Sequence, residues 1–204
     1  MDVTELLRDY ADGRRDFVGV DLRGANLAGA ELSGIDLRNA DLTNADFTAA
    51  ILLAAKFSRA RLRGARLAKA HLNCADLGAT DLQGAQLSEA RCRSGLLQKA
   101  DLHKANLQGG DFRGADLSEA KLTHARMVAI DLQGAKLRSA DLSDANLFRA
   151  RLLAADLQGA ILIGADLHLA VLVGANLRQA NLERANLAGT IMPDGKVITQ
   201  QPDD

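Results

Sequence analysis

The chain has 204 residues, enough for one domain of ordinary size or one repeat array. Its 25 Lys and Arg residues balance 26 Asp and Glu residues, and this net charge of −1 argues against nucleic-acid or membrane binding through bulk charge. Aromatic residues make up 3% and only two Cys are present, which predicts an aliphatic core, no disulfide framework and a cytoplasmic location.

The first 16 residues are predicted to form an N-terminal helical cap. Asp2 followed by Glu5 resembles a capping box, and Gly13 is a suitable stop, so we expect a helix over about 3–11 on the first coil of the following segment. The acidic residues near the N-terminus predict that no signal peptide is present. Because the sequence contains no run of about 18 apolar residues, no membrane span is predicted. The apolar face of the helix comprises Val3, Leu6, Leu7 and Tyr10.

A period of five residues runs through residues 17–192. Every fifth position from Leu22 to Met192 is Leu in 29 of 35 cases, and the position two residues earlier is Ala in 28 of 35. We call the leucine position i and the alanine position i−2. No insertion or deletion interrupts the register, so one structural unit is repeated throughout.

A period of five excludes both an α-helix and a flat strand. Five helical residues turn about 500°, which would spread the leucines over every face, and an odd period would alternate them across a strand. The chain must therefore turn once per repeat, and Gly, Asn and Ser are common after the leucine, as in Gly24 and Asn39. This pattern predicts an all-β solenoid with leucine and alanine inside.

Residues 193–204 are predicted to be a C-terminal turn and tail. Met192-Pro193-Asp194-Gly195 is a turn signal, Val197 keeps the leucine register and is expected to add a last short strand, and Gln200–Asp204 should be loose.

The repeat Ala-(Asp/Asn/Arg/Lys)-Leu-x-x, as in Ala25-Asn26-Leu27, resembles the pentapeptide repeat family over residues 17–192. The resemblance implies a right-handed, quadrilateral parallel β-helix with four repeats per coil, hence about nine coils. The segments Val3–Tyr10 and Ile191–Gly195 are similar to the ends of cyanobacterial members, including the type that regulates heterocyst differentiation through protein contacts.

Outward apolar residues are candidates for an interface. Four of them, Leu153, Val171, Val173 and Ile191, are expected on one face near the C-terminus, with Leu169 at its corner. Such clusters mark contact surfaces, here for a protein partner or a homodimer through the C-terminal coils, although β-propensity filler is the alternative. The candidate interface comprises Phe148, Leu153, Ile161, Ile163, Leu169, Val171, Val173 and Ile191; Ile51, Leu53 and Leu96 are also expected to point outward.

Charged residues are expected to form ladders, because residue n should lie beside residue n + 20. Lys56 would then lie between Asp36 and Asp76, a pattern typical of a solvated surface. The densest basic stretch wraps around one coil, and we interpret it as solvated or as a docking belt for an acidic partner; without an aromatic platform, nucleic-acid binding is not favoured. This charged belt comprises Lys56, Arg59, Arg61, Arg63, Arg66 and Lys69.

Neither a catalytic nor a cofactor-binding constellation is present. His103 and His124 approach each other across one coil without a Cys or carboxylate to complete a metal set. Cys92 should be buried and Cys74 at a turn, which is poor placement for a disulfide. The sequence thus predicts a non-enzymatic, rod-shaped interaction scaffold without cofactor or metal, active in cyanobacterial regulation if the terminal resemblance extends to role. The alternative is a second branch of the family, DNA mimics that protect gyrase, which needs a strongly negative surface.

Overall fold

The computed structural model describes residues 1–199, which contain one helix, α1 (Val3–Ala11), followed by a continuous series of single-residue β-bridges. The parallel bridges join residue n to residue n + 20, from Asp16–Asp36 to Val171–Ile191. One coil therefore takes 20 residues, or four pentapeptides, as predicted.

Backbone hydrogen bonds show why the period is five. Around Leu102, the amide N–H groups of Asp101 and Leu102 bond to the preceding and following coils, at 2.9 Å to the carbonyl of Thr80 and 2.7 Å to that of Lys121. The N–H of Ala105 then donates to the carbonyl of Leu102 at 2.9 Å and closes a turn. Each repeat thus pairs with both neighbouring coils and then changes direction.

The turn requires a left-handed backbone at position i+2. Glycine occupies it in several repeats, for example Gly84 with φ 66°, but Lys104 adopts φ 56° and Leu169 adopts φ 59°. A non-glycine residue in this region costs on the order of 1–2 kcal/mol, so neighbouring coils must hold these turns in place.

The core is a stack of fully buried side chains along the axis of the rod. Leu102 and Ala100 have no exposed surface, and Phe47 packs edge-to-face on Phe57 with ring centroids 6.0 Å apart. Gly110 replaces alanine beside Phe112, because a Cβ there would lie 2.7 Å from the ring. The predicted inward direction of the leucine and alanine positions is confirmed.

Two buried threonines at alanine positions have their hydroxyl groups satisfied. Thr80 donates to the carbonyl of Phe57 at 3.0 Å, and Thr190 donates to the carbonyl of Leu167 at 2.7 Å. A hydroxyl therefore fits this interior only because a backbone acceptor lies within reach.

Helix α1 covers part of the first coil. The Asp2 carboxylate accepts a hydrogen bond from the N–H of Glu5 at 2.8 Å, Leu6 is fully buried, and the Tyr10 hydroxyl donates to the carbonyl of Ser33 at 2.8 Å. The expectation that Leu7 joins the apolar face was wrong. Leu7 is 39% exposed, because the coil contacts only a narrow stripe of the helix.

The C-terminal end reverses direction instead of adding a further coil strand. After the turn at Pro193–Gly195, Val197 pairs antiparallel with Ile191, so the expected last strand pairing is present. Val197 is 52% exposed, however, and does not point inward as its place in the leucine register implied. Ile198 instead packs against the core, and its N–H donates to the carbonyl of Thr190 at 2.9 Å. The predicted tail Gln200–Asp204 lies outside the described residues.

Both cysteines are free thiols. Cys92 is buried at a leucine position, and burial raises its pKa to about 12, whereas Cys74 is exposed at a turn. The predicted placement of Cys92 in the interior and of Cys74 at a turn is confirmed.

Candidate functional site

Outward side chains line up in columns along the rod, because the bridges stack equivalent positions of successive coils. Each of the four faces carries one column of i−1 residues and one of i+1 residues, separated by the buried leucines. Neighbours along one column of the described residues are therefore 20 residues apart in the sequence.

Five aliphatic residues that the sequence predicted to face outward lie together near the C-terminus. Bridges place Arg151 beside Val171 and Val171 beside Ile191, and the hydrogen bond from the N–H of Ala154 to the carbonyl of Val173, at 2.9 Å, places Leu153 beside Val173. Val173 is 40% and Leu169 39% exposed. The C-terminal apolar patch comprises Leu153, Leu169, Val171, Val173 and Ile191.

Leu169 contacts the coil below it at a glycine. A Cβ added to Gly189 would lie 2.7 Å from Leu169 Cδ2, so the leucine side chain lies over the glycine backbone. Because Gly189 has no side chain, it leaves room for the Leu169 side chain at this corner of the patch.

Phe148 lies on the adjacent face and is covered by polar neighbours. Its ring stacks on His168 with centroids 5.5 Å apart and an interplanar angle of 14°, and the Arg149 guanidinium carbon lies 5.0 Å from the ring centroid. Sequence reasoning missed this stack, although the n and n + 20 spacing of Phe148 and His168 is a signal for it.

Ile161 and Ile163 lie on a third face, apart from the C-terminal apolar patch. Ile161 is 39% exposed but bridges Asp141 and Asn181, so polar residues flank it along its column. The candidate interface residues therefore occupy three faces, and only the C-terminal apolar patch is a contiguous aliphatic surface on one of them.

All six residues of the charged belt are exposed, but acids of adjacent coils neutralise half of them. Arg61 pairs with Asp41 at 3.4 Å, Arg66 with Asp46 at 3.6 Å, and Lys69 with Glu89 at 3.8 Å; Arg63 donates to Gln83. Within residues 1–199, Lys56 and Arg59 have no ion pair within 4 Å. The belt is thus interrupted and does not form one cationic surface.

The face that carries the C-terminal apolar patch has a strip of alternating charges at its centre. Arg93 and Arg113 donate to the Asp111 carboxylate at 2.6 and 2.8 Å, while Arg113 and Arg151 approach Asp131 at 3.9 and 3.8 Å. Hydrogen bonds from Arg113 first and then from Arg93 lower the pKa of Asp111 to about 2. We call Arg93, Asp111, Arg113, Asp131 and Arg151 the central ion strip.

The central ion strip was missed at the sequence level, although spacing contains a signal for it. Asp at i−1 and Arg at i+1 of one repeat form a bonded pair in Asp36–Arg38, at 2.7 Å, as well as in Asp111–Arg113. An Asp-Leu-Arg or Asp-Phe-Arg unit therefore predicts an ion pair on the surface of this fold.

The histidines do not assemble a metal site. His103 and His124 rings lie 5.6 Å apart, edge to face, and His103 Nδ1 lies 2.6 Å from the Thr123 hydroxyl. Among residues 1–199, no group of three His, Cys, Asp or Glu residues could hold a metal ion.

In the same range, no helix has the length and apolar character needed to cross a bilayer.

Comparisons with known proteins agree with this architecture. A family model described as pentapeptide repeats matches residues 16–52, 54–84, 85–123, 96–133, 115–152, 125–162 and 150–189. No curated protein matches the chain. The family match and the likeness to HetL, given below, imply a right-handed quadrilateral β-helix.

One similar solved structure is HetL, a pentapeptide repeat protein involved in heterocyst differentiation regulation from the cyanobacterium Nostoc sp. strain PCC 7120. The two sequences are 36% identical, the match covers 97% of this chain and 100% of HetL, and the TM-score is 0.58. Another is Rfr23 from the cyanobacterium Cyanothece 51142, with 38% identity, coverage of 45% and 63%, and a TM-score of 0.45. QnrB1, a plasmid-mediated fluoroquinolone resistance protein, has 22% identity, coverage of 87% and 86%, and a TM-score of 0.36.

Proposed function

Because the chain belongs to the pentapeptide repeat family, we propose that it is a non-enzymatic, rod-shaped scaffold that binds a protein through the C-terminal apolar patch. The observation that supports this proposal is the contiguous exposure of Leu169, Val173 and their aliphatic neighbours on a rod whose other outward columns are mainly polar. Water-exposed aliphatic surface of this kind becomes stabilising once a partner covers it.

The proposed scaffold has three parts: the helical cap in residues 1–16, a rod of about nine coils in residues 17–192, and a C-terminal turn and tail in residues 193–204. The charged belt is a second proposed docking surface, for an acidic partner, through cations that lack an ion pair such as Arg59. The proposed role is regulatory, in the cytoplasm of a cyanobacterium, and the likeness to HetL supports its regulatory and cyanobacterial parts.

The mimicry of DNA that would protect gyrase is not favoured. A DNA mimic presents dense negative charge, whereas this chain has a net charge of −1 and a cationic belt in its third coil. We expect no effect of the purified protein on gyrase supercoiling at micromolar concentration.

Affinity capture with matched variants tests the scaffold proposal. Val173→Asp alters the C-terminal apolar patch, and Val18→Asp is its control, because Val18 is a valine at the same repeat position with 42% exposure against 40%. From cyanobacterial extract, the unaltered protein and Val18→Asp should retain the same partner and Val173→Asp should lose it. Equal retention by all three proteins would overturn the proposed role of the patch.

A further inference from the structure

The face that carries the C-terminal apolar patch has a second aliphatic pair near its other end. Ile51 is half-buried and Leu53 is 40% exposed, and they occupy the same two columns as Val171 and Val173, six coils earlier. At about 4.8 Å per coil, the two pairs lie roughly 29 Å apart on one rod.

The two coils on either side of the midpoint of the face carry charges of opposite sign. The central coil carries the ion pair Asp111–Arg113, at 2.8 Å. The coil before it presents two cations, Arg91 and Arg93, and the coil after it presents Asp131 beside Gln133. A two-fold axis through the central coil would therefore bring Arg91 opposite Asp131 of a second copy, while the Asp111–Arg113 pair would lie opposite its own equivalent.

We propose that this face binds a second copy of the chain in antiparallel orientation, with the two-fold axis at the coil of Phe112. The inference rests on the proposed function of the C-terminal apolar patch and names its partner. Ile51 and Leu53 then contact Val171 and Val173 of the second copy, and Arg91 contacts Asp131 of the second copy.

The ion pairs of the single chain support this arrangement. Within the described residues Arg91 has no ion pair within 4 Å, whereas Asp131 is held only loosely, with Arg113 and Arg151 at 3.9 and 3.8 Å. Both groups are therefore available to each other across an interface. Such pairs fix orientation and register, while the aliphatic ends supply burial.

The parallel orientation is disfavoured by charge. A two-fold axis along the rod would place Arg91 opposite Arg93 of the second copy and Arg151 opposite Leu153. Like charges in contact and a guanidinium against an aliphatic side chain both oppose binding. The antiparallel arrangement replaces these contacts with Arg91 opposite Asp131 and Arg151 opposite His71. On its axis Asp111 and Arg113 lie opposite the same residues of the second copy, and there the two groups are already paired with each other within each chain at 2.8 Å.

The size of the face predicts a weak dimer. Two columns along the rod offer on the order of 20 side chains, the lower end of what one partner contributes to a standard interface. We expect a dissociation constant of roughly micromolar.

Sedimentation equilibrium with charge-reversed variants tests the contact between Arg91 and Asp131. Arg91→Glu alone and Asp131→Lys alone each create two repulsive pairs in a homodimer, so each should remain monomeric. An equal mixture of the two should dimerise, because both pairs in the heterodimer are then complementary. Arg126→Glu, at an exposed i−1 position on another face, should dimerise as the unaltered protein does.

Single cysteines give a second test that needs only exposed positions. In a Cys74→Ser background, a mixture of Leu53→Cys and Val173→Cys should be joined by a short bismaleimide. The two positions are too far apart for a short linker within one chain, so the product must be intermolecular. Val18→Cys should give no product with either variant.

Three results would overturn the proposed dimer: a monomer at all concentrations up to about 1 mM, coupling of Leu53→Cys to itself, or coupling of Val173→Cys only to itself. If the chain is monomeric but Val173→Asp still loses a captured partner that Val18→Asp retains, only the self-association fails. If neither self-association nor patch-dependent capture is seen, the proposed function fails as well.

Discussion

Leu102 and Leu122 stack in the middle of the rod without exposed surface, whereas Asp101 and Lys121, one residue before each, reach water. Along the inward columns nearly every coil repeats the same residue. Along the outward columns the residues differ from coil to coil, from charged pairs in the middle to aliphatic residues near the C-terminus. The inward positions therefore determine stability and the outward positions determine the choice of partner, and the two sets alternate along the chain.

The largest effect is expected from Leu102→Asp, which places an unpaired carboxylate in the dry interior. Burial of that charge should destabilise the rod by about 4 kcal/mol or more and unfold several coils. Lys104→Asp, on the outward turn of the same repeat, is the control and should change the free energy of unfolding by less than about 0.5 kcal/mol. Circular dichroism melting measures both, and similar melts would contradict the division between columns.

A smaller loss is expected from Gly110→Ala, because the new Cβ would lie 2.7 Å from Phe112 Cε2. Overpacking of this kind costs about 1–3 kcal/mol. Gly110→Ala combined with Phe112→Leu restores the common repeat unit and should recover part of that loss in urea unfolding. If the changes in unfolding free energy from the two substitutions are strictly additive, Gly110 does not compensate for the size of Phe112.

Acid titration should resolve the outward ion pairs of the central ion strip. Because the folded-state pKa of Asp111 is about 2, below its ordinary value of 3.8, the ionised group stabilises the fold above about pH 4. That contribution, about 1 kcal/mol after allowance for partial exposure, is lost as the pH falls through about 2. The stability difference between the unaltered protein and Asp111→Asn should shrink over this range; a constant difference would contradict the pairing.

The smallest effect is expected from Leu96→Lys. Leu96 is 44% exposed between Asp76 and Asp116, at a position where Lys136 lies between Asp116 and Asp156 in the same column. The new lysine should raise the free energy of unfolding by a few tenths of a kcal/mol, and the gain should disappear in 1 M salt. A loss of stability would show that the column is not governed by charge.

Sequence periodicity was sufficient to predict what depends on backbone register. The inward positions of Leu102 and Ala100 follow from spacing alone, because every coil imposes the same hydrogen bonds and the same space on each five-residue unit. The pairing of n with n + 20 was implied by the family resemblance, and the helix near residues 3–11 by its capping box and apolar face.

Features that depend on particular side-chain contacts were not predictable in this way. Val197 continued the leucine register, but the turn at Pro193–Gly195 reversed the chain and exposed it. The stacking of Phe148 on His168 and the pairing of Arg93 with Asp111 depend on rotamers, which a repeat pattern does not specify. The candidate interface was therefore located by column, while its polar surroundings became visible only in the structure.

Two adjacent residues test the central claim most directly, since Leu172 is 1% exposed and Val173 is 40% exposed. Leu172→Asp and Val173→Asp would be compared by thermal melting and by partner binding, with Val18→Asp as the reference. We expect Leu172→Asp to lose several kcal/mol of stability, and Val173→Asp to melt like the reference while losing its partner. Equal effects of the two substitutions on both measurements would contradict the separation of fold and binding on which the account depends.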